Sequence, residues 1–167
     1  MAIVVFAVQH RPNNESLRPA VMTRFRSPQI LAFMTPFPYS IDVEAPLGEA
    51  HAFLRERQIR HLPVTRNGEL AGILTDRDIK LALGPDLGSP PERELRVADV
   101  FQPDSYVVDA GERLGDVAAT MAERHVGSAL VTRGGKLVGI FTTTDACRAL
   151  ARVLRGQHPP AGPDQVA

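Results

Sequence analysis

Val64-Thr65-Arg66-Asn67-Gly68-Glu69-Leu70-Ala71-Gly72-Ile73-Leu74-Thr75-Asp76-Arg77-Asp78 is answered further along the chain by Val131-Thr132-Arg133-Gly134-Gly135-Lys136-Leu137-Val138-Gly139-Ile140-Phe141-Thr142-Thr143-Thr144-Asp145. Both stretches keep the same apolar alternation, the same glycines and a terminal Thr-x-x-Asp. Extended outward, residues 31–83 lie over residues 98–150 without a gap, with roughly a third of positions matching. An ungapped repeat of that length means two copies of one supersecondary unit, packed about a pseudo-two-fold axis. Ligands of such pairs sit in the clefts between the copies.

Each copy reads strand, helix, strand, strand, helix, an α+β fold. A brief strand over residues 39–43 corresponds to one over 106–110. Apolar Leu47, Ala50, Phe53 and Leu54 fall on one face of a helix, as do Leu114, Val117, Ala118 and Met121 in the second copy. Two strand-like runs then flank Asn67-Gly68, a strong hairpin signal because both residues tolerate positive φ; Gly134-Gly135 takes that place in the second copy. Helices over 76–83 and 143–154 close the units. Ahead of the first copy, Ser27-Pro28 predicts a short helix running to Phe33, with serine as N-cap and proline at the first helical position.

These boundaries give an extension over 1–26, a first repeat over 27–83, a Pro- and Gly-rich linker over 84–96, a second repeat over 97–154 and a disordered tail over 155–167. Within the extension, residues 3–8 form a candidate strand and Arg11-Pro12-Asn13-Asn14 a turn.

The 167 residues carry zero net charge, with 44% apolar and 23% charged content, as expected of a globular protein. Balanced charge and the absence of tryptophan argue against nucleic acid as partner. The apolar run over 3–8 is too short to cross a bilayer and lacks a basic leader, so no membrane partner and a cytoplasmic location are expected. One cysteine, Cys147, forbids an intrachain disulfide and fits a reducing compartment. His10, His51, His61, His125 and His158 show no metal-ligand spacing, and Arg133-Gly134-Gly135-Lys136 lacks the first glycine of a P-loop. No catalytic residue, metal or required cofactor is expected.

Ile59-Arg60-His61-Leu62-Pro63-Val64, Gly72-Ile73-Leu74-Thr75-Asp76-Arg77-Asp78 and the preceding Met34-Thr35-Pro36 resemble the central pattern of the CBS domain. With Gly139-Ile140-Phe141-Thr142-Thr143-Thr144-Asp145, the chain is similar to a tandem CBS pair, or Bateman module, over about residues 28–154. The second copy departs from the pattern in lacking the Met-Thr-Pro and Leu-Pro-Val forms. The resemblance implies a regulatory module that binds an adenosine-containing small molecule (AMP, ADP, ATP, sometimes S-adenosylmethionine or a dinucleotide). It also implies a homodimer formed through helices, and an effector protein on another polypeptide.

Carried over residue by residue, the resemblance assigns ribose and phosphate contacts to Thr75, Asp78, Thr142 and Asp145. Such a site suits a nucleotide physically. A helix N-terminus offers N–H donors to phosphate, and a carboxylate one turn in accepts from vicinal ribose hydroxyls. The same Thr-x-x-Asp spacing is also a capping-box signature, in which both side chains serve the helix itself. Arg77 adds a planar fork for phosphate in the first site, where the second has Thr144. By family analogy, Arg60 and His61 would reach the Thr142/Asp145 site from the other copy, and Ile41 and Val108 would line adenine. Two rivals remain: a scaffold module whose clefts bind nothing, and a small enzyme for which His61 is the only candidate base.

Overall fold

The computed structural model describes residues 27–83 and 95–157. The expected strand and turn in the extension, residues 84–94 of the expected linker and residues 158–167 of the expected tail lie outside these residues. In the first copy β2 (Ile41–Asp42) leads to α1 (Leu47–Glu56), β3 (His61–Arg66), β4 (Glu69–Thr75) and α2 (Asp76–Leu83), with β1 (Thr35–Pro36) ahead of them. The second copy repeats the order as β5 (Val107–Asp109), α3 (Leu114–Glu123), β6 (Ser128–Arg133), β7 (Lys136–Thr142) and α4 (Thr143–Leu154).

Duplication extends to fine detail. Strand β2 pairs parallel with β3, which pairs antiparallel with β4; β5, β6 and β7 do the same. A register shift breaks the first hairpin between Val64 and Thr65 and the second between Val131 and Thr132. Both hairpin turns use two positive-φ residues, Asn67 and Gly68 at 53° and 80° and Gly134 and Gly135 at 57° and 76°. That geometry matches the twist of the flanking strands.

The copies are not self-contained. Thr35 and Pro36 of β1 pair antiparallel with Ile140 and Gly139 of β7, completing the sheet order β1-β7-β6-β5. In return, Gln102 bridges Ile73 of β4, each backbone N–H donating to the other's carbonyl at 3.0 and 2.8 Å. Buried Ile30 packs with Val117, Met121 and Phe141 in the second core, and Val97 with Leu47, Leu62 and Leu74 in the first. Ile73 meets Leu130 and Ile140 between the sheets. Two strand-interior glycines sit where the crossing segments pass. A Cβ on Gly72 would overlap the backbone carbonyl of Gln102, and one on Gly139 would overlap the Met34 side chain.

The exchange corrects the helix expected over 27–33. Only a single 3-10 turn forms there, Ile30–Ala32, because Ile30 must turn into the other copy's core. Ser27 does cap a helix, but not its own: its Oγ accepts from the backbone N–H of Gly115 at 2.9 Å, in the first turn of α3. Pro28 supports the same turn, its carbonyl accepting from Leu114 N at 2.8 Å. Ser27→Ala is therefore expected to cost about 1 kcal/mol, a fall of roughly 3 °C in the thermal midpoint. The loss should show as faster amide exchange in α3, not near residue 30.

Candidate functional site

Both Thr-x-x-Asp segments lie where the second strand of a hairpin becomes a helix, and both close a capping box. In the first, Oδ2 of Asp78 accepts from the Thr75 backbone N–H at 2.9 Å and from the Thr75 hydroxyl at 2.5 Å. Asp78 N–H donates back to Thr75 Oγ1 at 3.2 Å. In the second, Asp145 Oδ2 accepts from Thr142 N–H at 2.9 Å and from its hydroxyl at 2.7 Å, and Asp145 N–H returns to Thr142 Oγ1 at 3.3 Å. The cap uses one oxygen of each carboxylate and leaves Oδ1 for another donor.

What reaches Oδ1 differs. Gln102, on the segment crossing from the second copy, brings Nε2 to 3.4 Å from Asp78 Oδ1. At Asp145 the Oδ1 partner is the Arg148 guanidinium, at 3.0 Å. Neither partner was singled out from sequence. Arg148 had a usable signal, since i and i+3 residues share a helix face. Gln102 had none, because its position follows from the exchange between copies.

The N-termini of α2 and α4 are less open to phosphate than expected. Asp76 N–H donates to the Arg60 carbonyl at 3.1 Å, and Thr143 N–H to that of Gly127 at 3.0 Å. With Thr75, Asp78, Thr142 and Asp145 also bonded, the N–H groups of Arg77 and Thr144 are the ones in each turn that no capping bond claims. Both side chains are exposed, but Arg77 carries charge. Asp76, beside it, is paired with Lys80 at 2.6 Å.

His61, next to Arg60, reaches from the first copy toward the second. His61 is level with Thr75 in the β3/β4 ladder, while its Nε2 would lie 3.1 Å from a Cβ at Gly127. Glycine there lets the ring approach the segment leading into Thr142. Burial, then the charge of Arg60, hold the His61 pKa below its ordinary value, against the opposing charge of Asp78. With the folded-state pKa lowered, the unfolded chain takes up its proton first as pH falls. The stabilisation is complete above the ordinary histidine range, near 6.5, and is lost as pH falls through the folded-state value. His61→Asn should therefore give a thermal midpoint that falls less steeply than the parent's between about pH 7 and 5.

The two adenine candidates part company. Ile41 is half-buried on the edge strand β2, whereas Val108, 3% exposed, is a core residue among Val117, Val131 and Phe141. Val108 holds the register position in β5 that Ile41 holds in β2, opposite Val131 as Ile41 is opposite Val64, but is more deeply buried. An apolar groove of about 240 Å³ lies between α3, α4 and the Ser27-Pro28 entry. Among the described residues, no three His, Cys, Asp or Glu side chains group to hold a metal, and no helix is long and apolar enough to cross a membrane.

Two interlocked α+β copies, each ending its hairpin in a capped Thr-x-x-Asp, define a tandem pair of the CBS class. The CBS domain family model matches residues 30–84 and 97–152, and the chain belongs to that family. A CBS domain-containing protein of Dictyostelium discoideum is 28% identical over 130 residues, 72% of this chain and 90% of its own length. The crystal structure of a putative acetoin utilization protein (AcuB) from Vibrio cholerae superposes with a TM-score of 0.68 at 27% identity, over 77% of this chain and 94% of that one. CBSX2 in complex with AMP gives 0.66 at 27% identity, over 77% and 99%.

Proposed function

We propose that this chain is a regulatory, non-catalytic Bateman module that binds an adenine nucleotide of the AMP, ADP or ATP type between its repeats. The observation that carries this is the outward Oδ1 of Asp78. The cap holds it in place, and among the described residues its hydrogen-bond partner is a neutral amide at 3.4 Å. A ribose hydroxyl would replace that amide with a stronger bond to an ionised acceptor. Thr75 and Thr142 orient the carboxylates, Arg77 meets phosphate, Ile41 packs on adenine, and Arg60 and His61 lie between the clefts. Thr144 leaves the second cleft without the charge that Arg77 brings. The AMP complex of CBSX2, similar over most of both chains, supports the ligand class.

Binding shifts the geometry of the repeats or of a homodimer, and an effector protein in the cytoplasm reads the shift. Exposed Leu150, Val153 and Leu154 along α4, with the groove beside them, support a helix-mediated dimer. The signal is limited by the ligand's differential affinity for the two states.

The competing scaffold function has an observation of its own, since both Thr-x-x-Asp motifs complete helix caps. A thermal-shift series with AMP, ADP, ATP, S-adenosylmethionine and NAD separates the two. A ligand at about a hundred times its Kd stabilises by about 2.7 kcal/mol, several degrees here. No shift with any of the five supports the scaffold.

A further inference from the structure

The two sites share a backbone but differ in what guards the outward carboxylate oxygen. Asp78 Oδ1 meets the neutral amide of Gln102 at 3.4 Å, near the limit of a hydrogen bond. Asp145 Oδ1 meets a guanidinium at 3.0 Å, a charge-assisted bond on an ionised acceptor. Arg148 stands one helical turn past Asp145, where the first copy has Leu81, 75% exposed and unable to make such a bond. Asp145 is correspondingly shut in at 7% exposure, while Asp78 is only half-buried. The Arg148 side chain itself is 71% exposed, so it can swing into solvent without disturbing the core.

We infer that Arg148 is a latch on the second cleft: its guanidinium occupies the position on Asp145 that a ribose hydroxyl would take, so the first cleft fills before the second. The inference rests on the ribose-binding role proposed above for Asp78 and Asp145. A ligand entering the first cleft displaces a weak amide contact. One entering the second must break an ion pair and leave the guanidinium to water. The two clefts then respond over different ligand concentrations although their backbones are copies.

Adenosine, uncharged and without phosphate, is the probe, so that any attraction between Arg148 and phosphate plays no part. Calorimetric titration in an Asp78→Ala background isolates the second cleft, and in an Asp145→Ala background the first. Arg148→Leu is expected to tighten adenosine in the second cleft by about fivefold, the upper end for an exposed ion pair. Leu81→Arg, the reciprocal change, should weaken the first cleft by a similar factor. Raising salt from about 0.05 to about 0.5 M should tighten binding to the parent second cleft by screening the ion pair, and leave Arg148→Leu unchanged.

Unchanged or weaker binding in Arg148→Leu overturns the latch, the weaker case making Arg148 a direct ligand contact. If losing both Asp78 and Asp145 leaves adenosine binding at the parent level, the ribose assignment falls and the latch with it. Absence of binding in the parent, in Arg148→Leu and in both backgrounds has the same consequence. Binding that disappears with the aspartates but ignores Arg148 removes the latch alone.

Discussion

Gly72→Ala lowers the thermal midpoint by close to 10 °C, a loss of about 3 kcal/mol at the upper end for overpacking a filled core. The added methyl group has no room, because it meets the backbone carbonyl of Gln102 and not a side chain that could rotate away. Relief requires the crossing segment to lift from β4. That would break the paired bonds between Ile73 and Gln102 and loosen Val97 in the first core. Gly139→Ala provides the internal control. There the obstacle is the thioether of Met34, an unbranched side chain that can repack, so the expected loss is about 1 kcal/mol. Equal losses from the two substitutions, read by thermal or urea unfolding, would mean that the exchange of segments is not as tight as described.

The second large effect is on binding. Asp78→Ala should weaken AMP in the first cleft by at least about tenfold, since a hydrogen bond to a charged group contributes about 1.5–3 kcal/mol. The same substitution removes the α2 cap and should cost about 1 kcal/mol of stability. Thr75→Ala separates the two consequences. It loses the hydroxyl of the same cap but keeps the carboxylate, so it should match Asp78→Ala in stability loss while retaining more AMP affinity. If isothermal titration gives both variants the same affinity, the carboxylate acts only through the cap.

Local chemistry made much of the fold legible. Asn67-Gly68 and Gly134-Gly135 both adopt the positive φ that their types suggested, and α2 and α4 span the residues expected of them. These features depend on neighbours in sequence. The exchange between copies does not. Ser27 signalled a cap correctly, but a capping side chain carries no record of which helix it will meet, and the helix was α3. A signal for the crossing did exist in Gly72 and Gly139, since an isolated glycine inside a strand marks close approach of another backbone.

The site was partly legible for the same reason. Thr75 meets Asp78, and Thr142 meets Asp145, because each pair's geometry is local to one turn, and each turn is a capping box whatever else it does. Gln102 depends on tertiary exchange and left no trace in its own neighbourhood. Strand alternation gives the burial of Val108 but not which buried face a cleft opens upon. The sequence reading assigned His61 to the Thr142/Asp145 site; its ring approaches Gly127 in the second copy while feeling the charge of Asp78 in the first.

The most direct test of the account is a structure of the protein crystallised at saturating AMP. The predicted result is AMP between the two repeats, with a ribose hydroxyl within hydrogen-bonding distance of Asp78 Oδ1 in place of Gln102 Nε2. Clefts that stay closed at saturation, with Gln102 still on Asp78 and AMP absent or bound to the outer helices, would contradict it.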